Sequence, residues 1–380
     1  MLTFRWGLTA ALLALSIAAQ LRGQETVPWH DPSPHTIQFV TVDDNVKLEV
    51  LDWGGSGRPL VLLAGLGNTA HVFDEFAPKL TSQYHVYGIT RRGYGASSVP
   101  AAGYSADRLG DDVLAVLDTL KLDRPVLVGH SIAGEELSSV GTRHPERVAG
   151  LIYLDAGYSY AFYHHSRATL GIDLQELRKK LDRFQQEANG LPDPKLVQEL
   201  LQSDLPGFEK DLQEQQVYRQ ALPAQLGNPP PPSAEDLASF AAFRAYFRRN
   251  QGIDFPEADL RQTRESKPNG GVGKRFDRSN VSGAIIAGEQ KYTDIRVPIL
   301  AVYANPHDPS PYAFDIFTTP AERAGAEAIP TAETEEQAKA FEIGVTSASV
   351  VRLPHANHYV FLSNETDVLR EMRSFLMDLH

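Results

Sequence analysis

Cysteine is absent from the 380-residue chain. That one absence removes disulfides, thiol nucleophiles and thiolate metal sites together, so stability has to come from core packing. A basic stripe is also missing: the formal net charge of −12 is spread along the sequence, which excludes nucleic acid as a partner. Long apolar runs are missing except at the start, where Arg5 precedes the stretch Leu8–Ala19, ending in Ser16-Ile17-Ala18-Ala19. A basic residue, a short apolar core and small residues at the end make a signal-peptide layout, too short for a stable bilayer span. Residues 1–23 are therefore expected to be a signal peptide, cut near Ala19 or Gly23, and the protein to be exported to a periplasmic or secreted location. Gly65-Leu66-Gly67 lacks the G-x-G-x-x-G spacing and any lysine-serine ending, so no phosphate loop and no cofactor are implied. What is present is ordinary for a globular protein with a sizeable core, 42% hydrophobic and 22% charged.

Short apolar runs recur at Thr36–Val42, Lys47–Trp53, Leu60–Leu63, His85–Ile89, Pro125–Val128, Leu151–Leu154, Ile299–Tyr303 and Ser349–Leu353. Continuous apolar runs of this length are what strands buried on both faces look like. Helical spacing lies between them, as in Val113, Leu114, Leu117 and Leu120 behind the N-cap candidate Ser105, and in the closing segment Val368–Leu379. Such alternation predicts an α/β fold, a mostly parallel eight-stranded sheet wrapped by helices. The alternation stops between Tyr158 and Thr293, where the chain is polar, helical at Leu174–Ala188 and Ala234–Asn250, stiff at Pro229–Pro232, and loop-like at Gly270, Gly271 and Gly273. The expected organisation is a core in two parts, 24–157 and 294–380, with a helical cap at 158–293 inserted after the sixth strand.

The chemistry centres on Gly129-His130-Ser131-Ile132-Ala133-Gly134, which follows an apolar run and opens a segment that reads as helix to about Arg143. A tight strand-to-helix corner pushes the serine hydroxyl clear of the backbone. The free amides of the new helix point to the same spot and can hold a developing oxyanion. This is close to the G-x-S-x-G nucleophile elbow, with Ala133 in place of the last glycine. A serine needs a base to take its proton, and the base needs a group to orient it. Downstream, Asp308 follows the run Ile299–Tyr303 and His358 follows Ser349–Leu353, so both sit at the strand ends where open α/β sheets hold ligands.

With these residues in order, the chain resembles the α/β-hydrolase superfamily in its lidded, single-chain form. Leu63-Ala64-Gly65-Leu66-Gly67 resembles the family's oxyanion turn, Arg91-Arg92-Gly93-Tyr94-Gly95-Ala96-Ser97 its R-G-x-G-x-S turn, and His144-Pro145-Glu146-Arg147-Val148 the segment leading into the sixth strand. Ala64 stands where the family often has histidine, and Thr90 where an aspartate commonly precedes the R-G turn. The resemblance implies that Ser131 is the nucleophile, His358 the general base and Asp308 the orienting acid, with oxyanion donors from the amides of Leu66 and Ile132. Asp155, at the end of the run Leu151–Leu154, is the alternative acid, because some members take theirs from that strand.

Tyr158, Tyr160, His164 and His165 lie where the cap begins and are candidates for a substrate pocket. Glu135 and Glu136 favour the positive end of the elbow helix. His355 and His358 have no third ligand at suitable spacing, so no metal is implied. The expected activity is that of an exported serine hydrolase acting on a small-molecule, ester-like substrate through an acyl-enzyme. A lactonase, amidase or aminopeptidase would keep the same triad, as would a carbon–carbon hydrolase or a cofactor-free haloperoxidase. A binding protein on the same fold is the non-enzymatic alternative. Haloalkane dehalogenases and epoxide hydrolases carry aspartate at the nucleophile position, which Ser131 argues against.

Overall fold

Runs such as Val126–His130 and Gly150–Leu154 have no polar face, and each is buried along its whole length. A strand with two apolar faces is stable only with helices on both sides of its sheet. The computed structural model describes residues 29–165, 169–187, 193–221, 229–308, 311 and 319–379. The expected signal segment, 1–23, lies outside the described residues. Eight strands form one sheet: β1 (Thr36–Asp43), β2 (Val46–Gly54), β3 (Pro59–Leu63), β4 (His85–Ile89), β5 (Val126–His130), β6 (Gly150–Leu154), β9 (Ile299–Ala304) and β10 (Ala348–Leu353). Their order is β1-β2-β4-β3-β5-β6-β9-β10. The pairings β1–β2 and β2–β4 are antiparallel and every other pairing is parallel.

Apolar residues fill both sides of this sheet. Leu62, Val128 and Ile152 belong to one cluster, while Val61, Leu127 and Leu151 belong to the other. Adjacent residues of a strand point to opposite faces, which is why each run feeds two cores. The helix Ala106–Leu120 starts where expected: Ser105 accepts from the amide of Arg108 at 3.4 Å. The helix Glu365–Asp378 buries Val368, Leu369, Met372 and Leu376, the apolar stripe read from its spacing.

The insertion between β6 and β9 carries the helices Leu170–Glu187, Pro194–Glu199, Leu205–Ala221, Phe240–Gln251, Glu257–Thr263 and Ser279–Ile286. Two expectations change here. The helix expected over Ala234–Asn250 begins only at Phe240, because Ser239 caps it by accepting from Ala242 N at 3.1 Å. The glycine loop proves to be the turn of a hairpin, β7 (Arg264–Ser266) with β8 (Val272–Arg275), with Gly270 and Gly271 between the strands. Gly270 turns it with φ +81°, and Gly273 lies within β8. A helix that sequence pattern did not pick out, Pro320–Gly344, crosses from β9 to β10 behind a capping box of Thr319 and Glu322. Among the described residues no helix is long and apolar enough to cross a membrane.

Candidate active site

Ser131 is the first residue after β5 and adopts φ +54°, with the helix Ala133–Arg143 beginning two residues on. Its amide donates to Leu154 O (3.3 Å), and its carbonyl accepts from Gly134 N (2.9 Å). The small residues of the elbow have specific reasons. A Cβ on Gly134 would lie 2.0 Å from Ala156 O, so the helix can rest on the end of β6 only with glycine there. Ala133, in the place of the usual glycine, is fully buried. A Cβ on Gly65 would lie 2.8 Å from His130 Nδ1 and 3.1 Å from Ser131 Cβ, so the turn after β3 passes directly over the serine. Among the described residues no acceptor takes the amide of Leu66 or of Ile132. Free amides beside an elbow serine are suited to an oxyanion.

The acid facing His358 is Asp155, which corrects the expectation of Asp308. Asp155 Oδ2 accepts from His358 Nδ1 at 2.7 Å, and Oδ1 accepts from Tyr158 OH at 2.8 Å and from Ala304 N at 2.9 Å. Asp155 is fully buried and, at φ +47°, repeats at the end of β6 the left-handed corner that Ser131 makes at the end of β5. Aspartate tolerates that conformation better than most residues. Beyond β9, His307 forms a bridge with Ala356, and Asp308 donates its amide to Ala356 O (2.8 Å). Alternation along this extended stretch turns His307 inward, Nε2 3.5 Å from Asp155 Oδ2, and leaves Asp308 exposed.

Three groups that sequence reasoning missed surround the pair. The His130 ring packs 4.7 Å from that of His358, and His130 Nε2 donates to the carbonyl of His358 at 3.1 Å. Burial, and then the neighbouring His358, hold the His130 pKa well below the ordinary histidine value, so it is a neutral prop for the His358 loop. Burial likewise lowers His307, against the opposing pull of Asp155. Arg91, from the R-G turn, is the third. It makes two bonds to Glu136 in the elbow helix (2.6 and 2.8 Å) and donates to Ala64 O at 3.0 Å. Burial works against its charge, but Glu136 more than offsets this and raises its pKa. The oxyanion turn and the elbow helix are thereby tied through one buried ion pair. Thr90, where the family often has aspartate, donates its hydroxyl to Glu49 and accepts from Ala70 N.

Of the four candidate pocket residues, two reach the site. Tyr158 bonds Asp155, and burial, with the Asp155 charge second, pushes the Tyr160 phenol well above its ordinary value. Tyr160 also packs with Leu66, Ile132, Val281 and Ile285, an apolar wall beside the serine. His164 and His165 face elsewhere. His164 pairs with Glu336 at 3.3 Å, and His165 lies near Asp173 and Asp211 of the cap (3.8 and 3.6 Å). Both follow Tyr163, whose amide is tied to Tyr292 O, so the chain has already turned away from Ser131. A cavity of about 160 Å³ opens at Leu66, Gly67 and Tyr359 under the cap, and one of about 380 Å³ adjoins it at Gly67 and Arg275.

The fold is matched among known proteins. The family described as alpha/beta hydrolase fold matches residues 58–305. The chain belongs to the alpha/beta hydrolase fold family. A fluoroacetate dehalogenase of Burkholderia sp is 35% identical over 115 residues, 29% of this chain and 38% of that one. A 2-(acetamidomethylene)succinate hydrolase of Mesorhizobium japonicum is 27% identical over 101 residues, 27% of this chain and 36% of that one. The chain spans less than half the length of the first curated relatives it matches, 42%, 38% and 47%. A solved structure of E-2-(acetamidomethylene)succinate hydrolase superposes with a TM-score of 0.56 at 15% identity, covering 90% of this chain and 99% of that one. An esterase of Rhodococcus sp. ECU1013 follows at 0.52 and 16%, covering 90% and 99%. At such identities the likeness concerns the fold.

Proposed function

We propose that this hydrolase is an exported serine esterase that works through an acyl-enzyme on Ser131, with His358 as base and Asp155 as acid. The observation that supports it is the 2.7 Å bond between His358 Nδ1 and the buried Asp155. It leaves Nε2 as the imidazole nitrogen free to take a proton. In the first half-reaction Ser131 Oγ attacks the ester carbonyl carbon while His358 takes the hydroxyl proton. The carbonyl oxygen becomes an oxyanion against the amides of Leu66 and Ile132. As the tetrahedral centre collapses, the imidazolium gives its proton to the leaving alkoxide, and Asp155 stabilises the cation throughout. Water then repeats the sequence on the acyl-enzyme and frees the acid and Ser131.

Arg275 bears on the substrate. It lines both cavities beside Gly67, and among the described residues no carboxylate pairs with it. A Cβ on Gly67 would lie 3.3 Å from its guanidinium. Esters carrying an anionic group on the side nearest Gly67 fit this charge. The test is a panel of p-nitrophenyl esters of graded length and charge, with lactones and anilides beside them, run on the wild type and Ser131→Ala. Turnover of esters that vanishes in Ser131→Ala is expected. Ester turnover unchanged in Ser131→Ala overturns the reading.

A further inference from the structure

Away from Ser131, four side chains from two remote segments converge at one point. Asp31 and His35 come from the chain before β1, and His71 and Asp74 from the short turn Ala70–Phe73 and the residue after it. One ligand atom from each lies within 4.8 Å of all the others. His71 Nδ1 is 2.9 Å from Asp74 Oδ2 and 3.2 Å from Asp31 Oδ2, and His35 Nδ1 is 3.1 Å from Asp74 Oδ1. The side chains of His35, His71 and Asp74 are only 3–4% exposed and that of Asp31 18%. We propose that Asp31, His35, His71 and Asp74 form a binding site for a divalent transition metal, zinc above all.

Hydrogen bonding alone leaves this cluster unsatisfied. Asp31 Oδ2, His35 Nδ1 and Asp74 Oδ1 are buried and have no hydrogen-bond partner. A single proton on His71 Nδ1 cannot serve both Asp74 and Asp31. Buried polar atoms without partners are costly, and a cation at their common focus satisfies all of them at once. Zinc bonds of about 2.0–2.2 Å place the corners of a tetrahedron about 3.3–3.6 Å apart. The closest separations here, 2.9, 3.2 and 3.1 Å, open by a few tenths of an ångström to reach that, and the four ligand atoms all lie within 4.8 Å of one another. Binding displaces the proton that Asp31, Asp74 and Glu49 favour on His71, and two neutral imidazoles with two carboxylates then neutralise a divalent ion, a donor set that suits zinc.

The outer contacts fit as well. The other ring nitrogen of His71, Nε2, faces Glu49 Oε1 at 3.6 Å, as the carboxylate behind a metal-bound histidine does. Glu49 is itself held by Thr90 OH (2.8 Å) and Gln262 Nε2 (2.9 Å). Asp31 keeps Oδ1 on Ser33 N at 3.0 Å, which leaves Oδ2 for the ion. The His35 ring rests against Trp53 with centroids 5.7 Å apart. Bound metal would cross-link the lead-in segment to the turn that follows Leu66 and Gly67, in a chain with no cysteine to do so.

The site does not depend on the reading of Ser131, and its test is separate. Untagged full-length protein is stripped with a chelator and titrated with zinc by calorimetry, with the thermal midpoint followed in parallel. One equivalent with saturable binding and a midpoint raised by a few degrees is expected. Asp31→Asn and His35→Gln, each checked for folding, should each weaken zinc binding more than about tenfold. Cobalt(II) on the wild type should give the visible bands of a four-coordinate ion, a readout that needs no variant. No saturable uptake, no such bands, or uptake unchanged in both folded variants overturns the proposal.

Discussion

Replacing Asp155 with asparagine changes one atom and should remove nearly all activity. Asp155 Oδ1 takes two donors, Tyr158 OH and the fixed amide of Ala304, at 2.8 and 2.9 Å. The Ala304 amide cannot turn, so an asparagine has to keep its oxygen there and aim its NH2 at His358. A donor facing Nδ1 forces the proton of the neutral imidazole onto Nε2. His358 can then no longer accept from Ser131. The same change in a well-characterised serine triad costs about 10⁴ in kcat with the geometry kept, equivalent to about 5.5 kcal/mol in the barrier. Asp308→Asn alters an exposed side chain and should stay within about 0.5 kcal/mol, roughly a twofold change. Steady-state hydrolysis of p-nitrophenyl acetate by both variants decides the matter, with thermal unfolding confirming that Asp155→Asn still folds. Loss of more than a hundredfold in Asp308→Asn, beside near-normal Asp155→Asn, overturns the assignment of Asp155.

Other sites give independent checks. Gly65→Ala puts a methyl 2.8 Å from His130 Nδ1; the displaced turn should cost kcat about tenfold to a hundredfold, with KM little changed in the same assay, since one lost oxyanion donor costs about 10²–10³. Burial raises Glu289 to about 7, so its protonated form is the one the fold favours. Its contribution to stability is complete below the unfolded value of about 4.3 and is lost as pH rises to about 7. Glu289→Gln should therefore be more stable than wild type at pH 8, by about 1–2 kcal/mol after allowing for partial exposure, and match it at pH 4; calorimetric melts across that range show either this convergence or its failure. Arg275→Gln should raise KM about two- to fivefold for p-nitrophenyl esters bearing a distal carboxylate, the worth of an exposed ion pair, and leave neutral esters unchanged.

Much of this architecture is legible in sequence because it rests on local rules. Strands β5 and β6 are apolar on both faces, and the elbow joins a buried strand to a helix through small residues; both signals lie within a dozen positions. The choice of acid does not. Strands β6 and β9 are neighbours, with Leu154 opposite Val302, so Asp155 and the residues after β9 arrive side by side at one sheet edge. Chain order cannot separate them. The decision falls on alternation past β9, which turns His307 in and Asp308 out. His130 was hidden by its place inside the elbow motif, where the residue before the serine carries no chemical requirement. The helix Pro320–Gly344 is hard to read because it is rich in alanine and glutamate, and its fully buried apolar positions among the described side chains include only a few such as Ala338 and Phe341. Asp31-x3-His35 and His71-x2-Asp74 are each too short a pattern to suggest a metal, and only the fold joins them.

In the proposed mechanism Ser131 is an activated nucleophile whose activation runs through His358 to Asp155. A fluorophosphonate probe followed by peptide mass spectrometry tests it most directly. Rapid labelling confined to Ser131, strongly slowed in Asp155→Asn and unchanged in Asp308→Asn, is expected. Folded wild-type protein that gives no adduct, or an adduct on another serine, contradicts it.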